Sequence, residues 1–302
     1  MRNYPEIASR MFGTPLMLHP SKGDIIARAF GPRILGSADG EDLQVVGGEA
    51  MGLVGDKIRG AKDGWGDRVY EGPDVVAPGV ALIEIEGSLV NKGKWIGKSC
   101  GMTSYEAISA QVRDCKERDD IKAVVFEIDS YGGEVTGAFD CAEQIFELSQ
   151  IKPTIAVLTD HACSAGYLQA APCRQIFIPQ TGICGSIGVI SMHVDMSAWL
   201  AKEGLKVTIL SAGAHKADFN PYQAIPDDVL KQELAELEEL RVEFAATVAR
   251  FRAGRLTQES ALATEARVYR GQKAVDAGLA DAVARPSQVL EAFEAELSRT
   301  FG

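Results

Sequence analysis

Between Val80 and Gln180, unbroken apolar runs alternate with segments of helical periodicity, an order that few architectures accept. VALIEIEG (80–87), KAVVFEID (122–129), TIAVLTD (154–160) and RQIFIPQ (174–180) read as strands. Runs such as VVF and IAVL, without polar alternation, suit parallel strands buried on both faces. SYEAISAQVRDCKE (104–117) places Ile108, Val112 and Cys115 at helical spacing behind a capping Thr103 or Ser104. AFDCAEQIFELSQ (138–150) reads as a second helix, and SAGYLQAAP (164–172) opens a third that Pro172 helps end. This β-α-β-α-β-α-β order predicts an α/β fold, a stacked parallel sheet with flanking helices. VTIL (207–210) reads as a further strand. PDDVLKQELAELEELRVEFAATVARF (226–251) reads as a helix about 40 Å long at ~1.5 Å per residue, long enough to reach a neighbouring subunit. Asp227 and Asp228 sit in its first turn, where they suit the helix dipole. GQKAVDAGLAD (271–281) is a short helix closed by Gly278.

The flanks divide the chain into three: an irregular N-terminal extension (1–77), a catalytic-type domain (78–285) and a helical tail (286–302). The opening MRNYPEIASRMFGTPLMLHPSKGD is interrupted by charges and prolines. It has no signal-peptide core, and nowhere are there ~18 consecutive apolar residues. Neither export by that route nor a membrane span is expected. The net charge of −11, without a Lys/Arg cluster, argues against a nucleic-acid partner. Six cysteines form no C-x-x-C pair and there are four histidines, so neither a zinc site nor another metal or cofactor is expected. The scattered cysteines suit reduced thiols in a cytosolic compartment.

Ser164, in HACSAGY, falls where a strand gives way to a helix. A serine there is either an N-cap or a nucleophile at the C-terminal edge of a parallel sheet, where α/β proteins place their sites. Its small neighbours Ala162, Ala165 and Gly166 admit a substrate backbone. A nucleophile needs a base, and His161, His215 and Lys216 are candidates. Lys216 sits in the Gly/Ala-rich SAGAHKADFNP; a lysine serves as base only as the neutral amine, and most lysines are solvated surface charges. Oxyanion donors would come from Gly133, in SYGGEV, and from the N–H after the nucleophile, Ala165. Ser186, in TGICGSIGVI, could orient a lysine amine or be a simple turn serine.

Together DSYGG, ACSAGY, TGICGSIGVI, SAGAHKADFNPY and VYRGQKAVDAGLAD resemble the signal peptide peptidase A family of Ser–Lys proteases, over residues 78–285. That resemblance implies a Clp protease/crotonase-like fold, with Ser164 as nucleophile and Lys216 as general base. Ser186 would be the lysine-orienting hydroxyl, and Gly133 and Ala165 the oxyanion donors. It also implies activity that rises toward alkaline pH. GAFDCAE, SAGAHKADFNPY and the opening around FGTPLML are similar to the phage head-maturation branch typified by lambda protein C. A protease of that branch would cleave capsid, scaffold or portal-associated proteins as a homo-oligomer, in the bacterial cytoplasm or inside the prohead. The alternatives are a soluble bacterial signal-peptide-peptidase-like protease, a crotonase-like acyl-CoA enzyme and an inactive assembly protein. Two residues depart from the family pattern. Tyr131 stands where proline is usual, and Cys163, read as a bystander thiol, precedes the nucleophile.

Overall fold

The computed structural model describes residues 14–20, 72–92 and 101–301. The elements follow the expected alternation. In chain order they are β1 (Leu16–Leu18), β2 (Asp74–Ala77), β3 (Val80–Val90), β4 (Met102–Ser104), α1 (Tyr105–Glu117), β5 (Ala123–Glu134) and α2 (Ala138–Ile151). Then come β6 (Thr154–Cys163), α3 (Ala165–Ala170), β7 (Gln175–Ile178), β8 (Ile183–Gly185), α4 (Ser197–Lys202) and α5 (Asp227–Phe251). The last are α6 (Gln258–Ala263), β9 (Val268–Arg270), α7 (Gln272–Asp276), β10 (Ala282–Val283) and α8 (Pro286–Phe301). Of the two candidate caps on α1, Ser104 does the work: its Oγ accepts from the Ala107 N–H at 3.2 Å.

The sheet runs β10-β7-β6-β5-β3-β2. Every pair in it is parallel except β2 on β3. β3, β5 and β6 are long enough to continue past register shifts near Gly87 and Ser130 and to pair there with further short strands of the same sheet. There β4 joins β3 and β8 joins β6, both in parallel, while β9 joins β8 and β1 joins β5 antiparallel. Short segments from residues 16–18 and 74–77, within the stretch read as an extension, are thus strands of the main sheet.

Alternate residues of each strand face two different cores. Ile83, Ile85, Val124, Phe126, Ile128 and Leu158 pack with the apolar faces of α1, α2, α3 and the C-terminal half of α5. Their neighbours Val80, Leu82, Val125, Ile155 and Val157 pack beneath Val289, Phe293 and Leu297 of α8. Each of those three α8 side chains contributes roughly 1.5–3 kcal/mol by leaving water. The tail helix is therefore a structural cover on the far face of the sheet.

α5 behaves as two halves. Phe244, Ala245, Val248 and Phe251 are buried, whereas Leu230, Leu234 and Val242 stay exposed. VTIL (207–210), expected as a strand, is not one: the segment has no regular structure and its side chains face solvent. Apolar β-branched residues form a strand only where a sheet edge is available to pair with, and this segment meets none among the described residues. Among the described residues no helix is long and apolar enough to cross a membrane.

Candidate active site

Ser164 is the hinge between β6 and α3, and its backbone is unusual. At φ 56 and ψ −123 it lies outside the regions open to most L-residues, a conformation that costs about 1–3 kcal/mol. Its neighbours hold it there. The Ser164 N–H donates to Gly185 O at 2.8 Å, and Ser164 O accepts from the Leu168 N–H at 3.0 Å. The side chain does not cap α3; its Oγ points to Gly188 O at 3.4 Å. Of the two roles open to this serine, the cap is therefore not the one adopted. A serine on a strained strand-to-helix turn is how α/β-hydrolases present a nucleophilic hydroxyl.

The end of β5 supplies the surroundings. Ser130 pairs in register with Ala162, and its Oγ donates to Gly87 O at 2.7 Å while accepting from the Gly132 N–H at 3.1 Å. Gly132 has φ +99, and a Cβ on it would come within 3.0 Å of both Ala165 N and Cys163 O. A Cβ on Gly133 would overlap the Leu89 backbone. Only glycines allow these close approaches, which bring the end of β5 against the backbone of Cys163 and Ala165 at Gly132 and against Leu89 of β3 at Gly133. Ser186 arrives on the other side, because Cys163 pairs with Gly185. It also has positive φ (56), and its N–H donates to Arg267 O at 3.0 Å.

Lys216 is the residue the structure does not bring in. It lies in an exposed turn after the unpaired 207–210 segment, its N–H on Gly213 O at 3.3 Å. The two histidines are engaged elsewhere. His161 Nε2 meets the Tyr131 hydroxyl at 2.6 Å, the rings stack at 4.1 Å, and Nδ1 meets Asp129 Oδ1 at 3.1 Å. His215 pairs with Asp218 at 2.9 Å in solvent. Tyr131, in the usual proline position, thus starts a Tyr–His–Asp chain along the rim of the site. Cys163 is buried, and desolvation, with Asp129 adding to it, pushes its thiol up to about 12. It is a poor nucleophile at neutral pH.

Two features escaped the sequence reading. One is the Tyr131–His161–Asp129 chain, which joins residues 30 and 32 positions apart. The other is β1: three apolar residues after Pro15 are too few for any periodicity test. Two surface cavities of about 610 Å³ each, one by Asn91, Tyr105 and Arg113 and one by Tyr269 and Asp276, are not lined by Ser164. Asp129, Asp160 and His161 lie close enough together to offer ligands to a metal ion, but Tyr131 and Asp129 already engage the His161 ring.

Peptidase family S49 matches residues 147–299, a stretch that holds Ser164, Ala165, Ser186 and Lys216. The chain is 35% identical to the capsid assembly protease C of Escherichia phage lambda, over 100% of this chain and 69% of that protein. It is 33% identical to the head-tail preconnector protein GP5 of Enterobacteria phage P21, over 98% of this chain and 58% of that protein. Identity to a putative signal peptide peptidase SppA of Enterococcus faecium is 25%, over 73% of this chain and 64% of that one. Among solved structures, a Listeria monocytogenes ClpP1 variant aligns with TM-score 0.40 at 13% identity, covering 67% of this chain and 90% of that chain.

Proposed function

The chain belongs to peptidase family S49, and from that premise we propose that it is a serine endopeptidase of phage head assembly, with Ser164 as nucleophile and Lys216 as base. The observation that carries this reading is the strained, uncapping Ser164, flanked by Cys163 and Ala165, whose backbone atoms closely approach Gly132. In the proposed reaction the neutral amine of Lys216 takes the Ser164 proton, and Oγ bonds to a peptide carbonyl carbon. The Gly133 and Ala165 N–H groups hold the oxyanion. The C–N bond then breaks as the proton passes to the leaving amine, and water hydrolyses the ester. Ser186 orients the lysine.

Lys216 must travel to reach Ser164. The segment that carries it exposes Leu205, Val207, Ile209 and Leu210, and the free half of α5 exposes Leu230 and Leu234. Covering those side chains in a homo-oligomer would order the segment and seat the lysine. Capsid, scaffold or portal-associated proteins are the proposed substrates, met in the bacterial cytoplasm or inside the prohead.

The test is co-expression with the head proteins of the same phage, read by mass spectrometry. Wild type should yield discrete cleavage products that vanish with Ser164→Ala and with Lys216→Ala. Products that persist in both variants would refute the dyad.

A further inference from the structure

β1 lies where a substrate should. Its two edges are held by the two segments that build the site. The Leu16 N–H donates to Ile190 O at 2.8 Å and the Ile190 N–H donates to Leu16 O at 2.9 Å. On the opposite edge Leu16, Met17 and Leu18 pair with Glu134, Gly133 and Gly132, and the His19 N–H donates to Tyr131 O at 2.9 Å. Antiparallel pairing alternates, so Met17 turns its N–H and C=O toward Gly133 while Leu16 turns its own toward Ile190.

The Met17 carbonyl oxygen overlaps the place where a Cβ on Gly132 would stand, and Ala165 N is 3.0 Å from that same place. A carbonyl of the chain itself therefore sits beside the two N–H groups assigned to the oxyanion. The side chains of Leu16, Met17 and Leu18 are 3%, 0% and 6% exposed, so they fill pockets rather than lie over them. Strand addition of this kind draws affinity from main-chain hydrogen bonds and selectivity from the side-chain pockets.

Resting on Ser164 as the nucleophile, we propose that Thr14–His19 is a tethered occupant of the peptide-binding groove, held in the register of a substrate strand. The groove accordingly takes extended polypeptide with apolar side chains at consecutive positions, Leu-Met-Leu being one set that fits. A protein substrate must displace this strand, so apparent affinity is reduced by the fraction of molecules whose groove is open. Held down, the strand keeps the protease idle; released, it exposes both walls of the groove together.

A reversible staple tests this on the full chain. Leu16→Cys with Ile190→Cys joins two directly paired residues, at a separation that suits a disulfide. The probe is a diphenyl phosphonate carrying Leu-Met ahead of phosphorus. Ser164 Oγ bonds to phosphorus, phenoxide leaves, and the serine proton goes to the base. Labelling at Ser164, read by mass spectrometry, should be at least tenfold slower in the oxidised chain and recover on reduction. Equal labelling in both states would overturn the occupancy and leave the nucleophile standing. No labelling in either state would remove the nucleophile, and this inference with it.

A second measurement needs no catalysis. In a Ser164→Ala chain lacking residues 1–20, a fluorescent peptide of sequence TPLMLH should bind at least tenfold tighter than to the untruncated Ser164→Ala chain. Aspartate in place of its methionine should abolish that binding. A folded truncated chain that binds the peptide no better would refute the proposal. If the truncated chain does not fold, the staple alone decides.

Discussion

Arg252 is wholly buried, and replacing it with methionine measures how much of the fold hangs on one cation. Its Nη1 and Nη2 meet Asp281 Oδ2 and Oδ1 at 2.9 and 3.0 Å, and Nη2 also donates to Gly278 O at 3.2 Å. Asp281 in turn accepts from the Ile176 N–H at 2.7 Å and pairs with Arg255 Nε at 2.7 Å. The cluster thus ties the end of α5 to β7 and to the loop before β10. Methionine keeps most of the stem volume and removes the donors. Breaking one partner out of a buried pair costs about 3–5 kcal/mol. Arg255 and the Ile176 N–H still serve Asp281, so the low end, about 3 kcal/mol, is expected. With an unfolding entropy of about 2.1 cal/mol/K per residue, a 302-residue chain should lose roughly 5 °C of melting temperature. Urea unfolding followed by circular dichroism gives the free energy, and a cycle with Asp281→Asn isolates the pair. A loss under about 1 kcal/mol, or a double variant whose cost is the sum of the singles, would refute this account of the pair.

Gly133→Ala should cost at least about 3 kcal/mol and abolish cleavage, because the new methyl would meet the Leu89 backbone, which cannot yield as a side chain can; thermal melting and an activity assay check it. Cys163 should resist iodoacetamide in the folded protein at pH 8, its thiolate fraction about a thousandfold below that of an exposed cysteine, and react at the ordinary rate in urea. Burial, and then His161, hold the His19 imidazole below its usual range; Tyr131 faces it, and Asp129 and Asp160 pair with His161. The released strand then binds a proton more readily than the docked one, so docking is full above about pH 6.5 and weakens as pH falls below it. Hydrogen exchange at Leu16 and His19, corrected for intrinsic rates, should accelerate between pH 7.5 and 5.5, and His19→Gln should flatten that dependence.

The central sheet was legible because its information is local. VVF and IAVL carry both faces of a buried strand in a few residues, and Ser104 announces its helix. Long pairings are not written that way. VTIL has the composition of a strand and none of its neighbours, and nothing in the four residues says so. Leu16–Leu18 has neighbours on both edges, supplied by residues 132–134 and 190, and no local pattern reveals them. At the site, the motif singles out Ser164, Gly133, Ala165 and Ser186; the fold pairs Cys163 with Gly185, the residues just before the two serines, and sets Ala165 N near Gly132. The motif also singles out Lys216, which lies in an exposed turn after the unpaired 207–210 segment.

The strain at Ser164 also has a history within each molecule's synthesis. The serine is pinned by Gly185, Gly185 is paired to Val268, and the helix after the serine is fastened by Tyr167 Oη donating to Leu279 O at 2.9 Å, 112 residues further on. At about 5–20 residues per second, a ribosome needs roughly 6–22 s to supply that last partner. Until then the bonds to Gly185 and Leu168 act without that distant support. A nascent chain that has not reached residue 279 therefore lacks the contact that fastens the helix after Ser164.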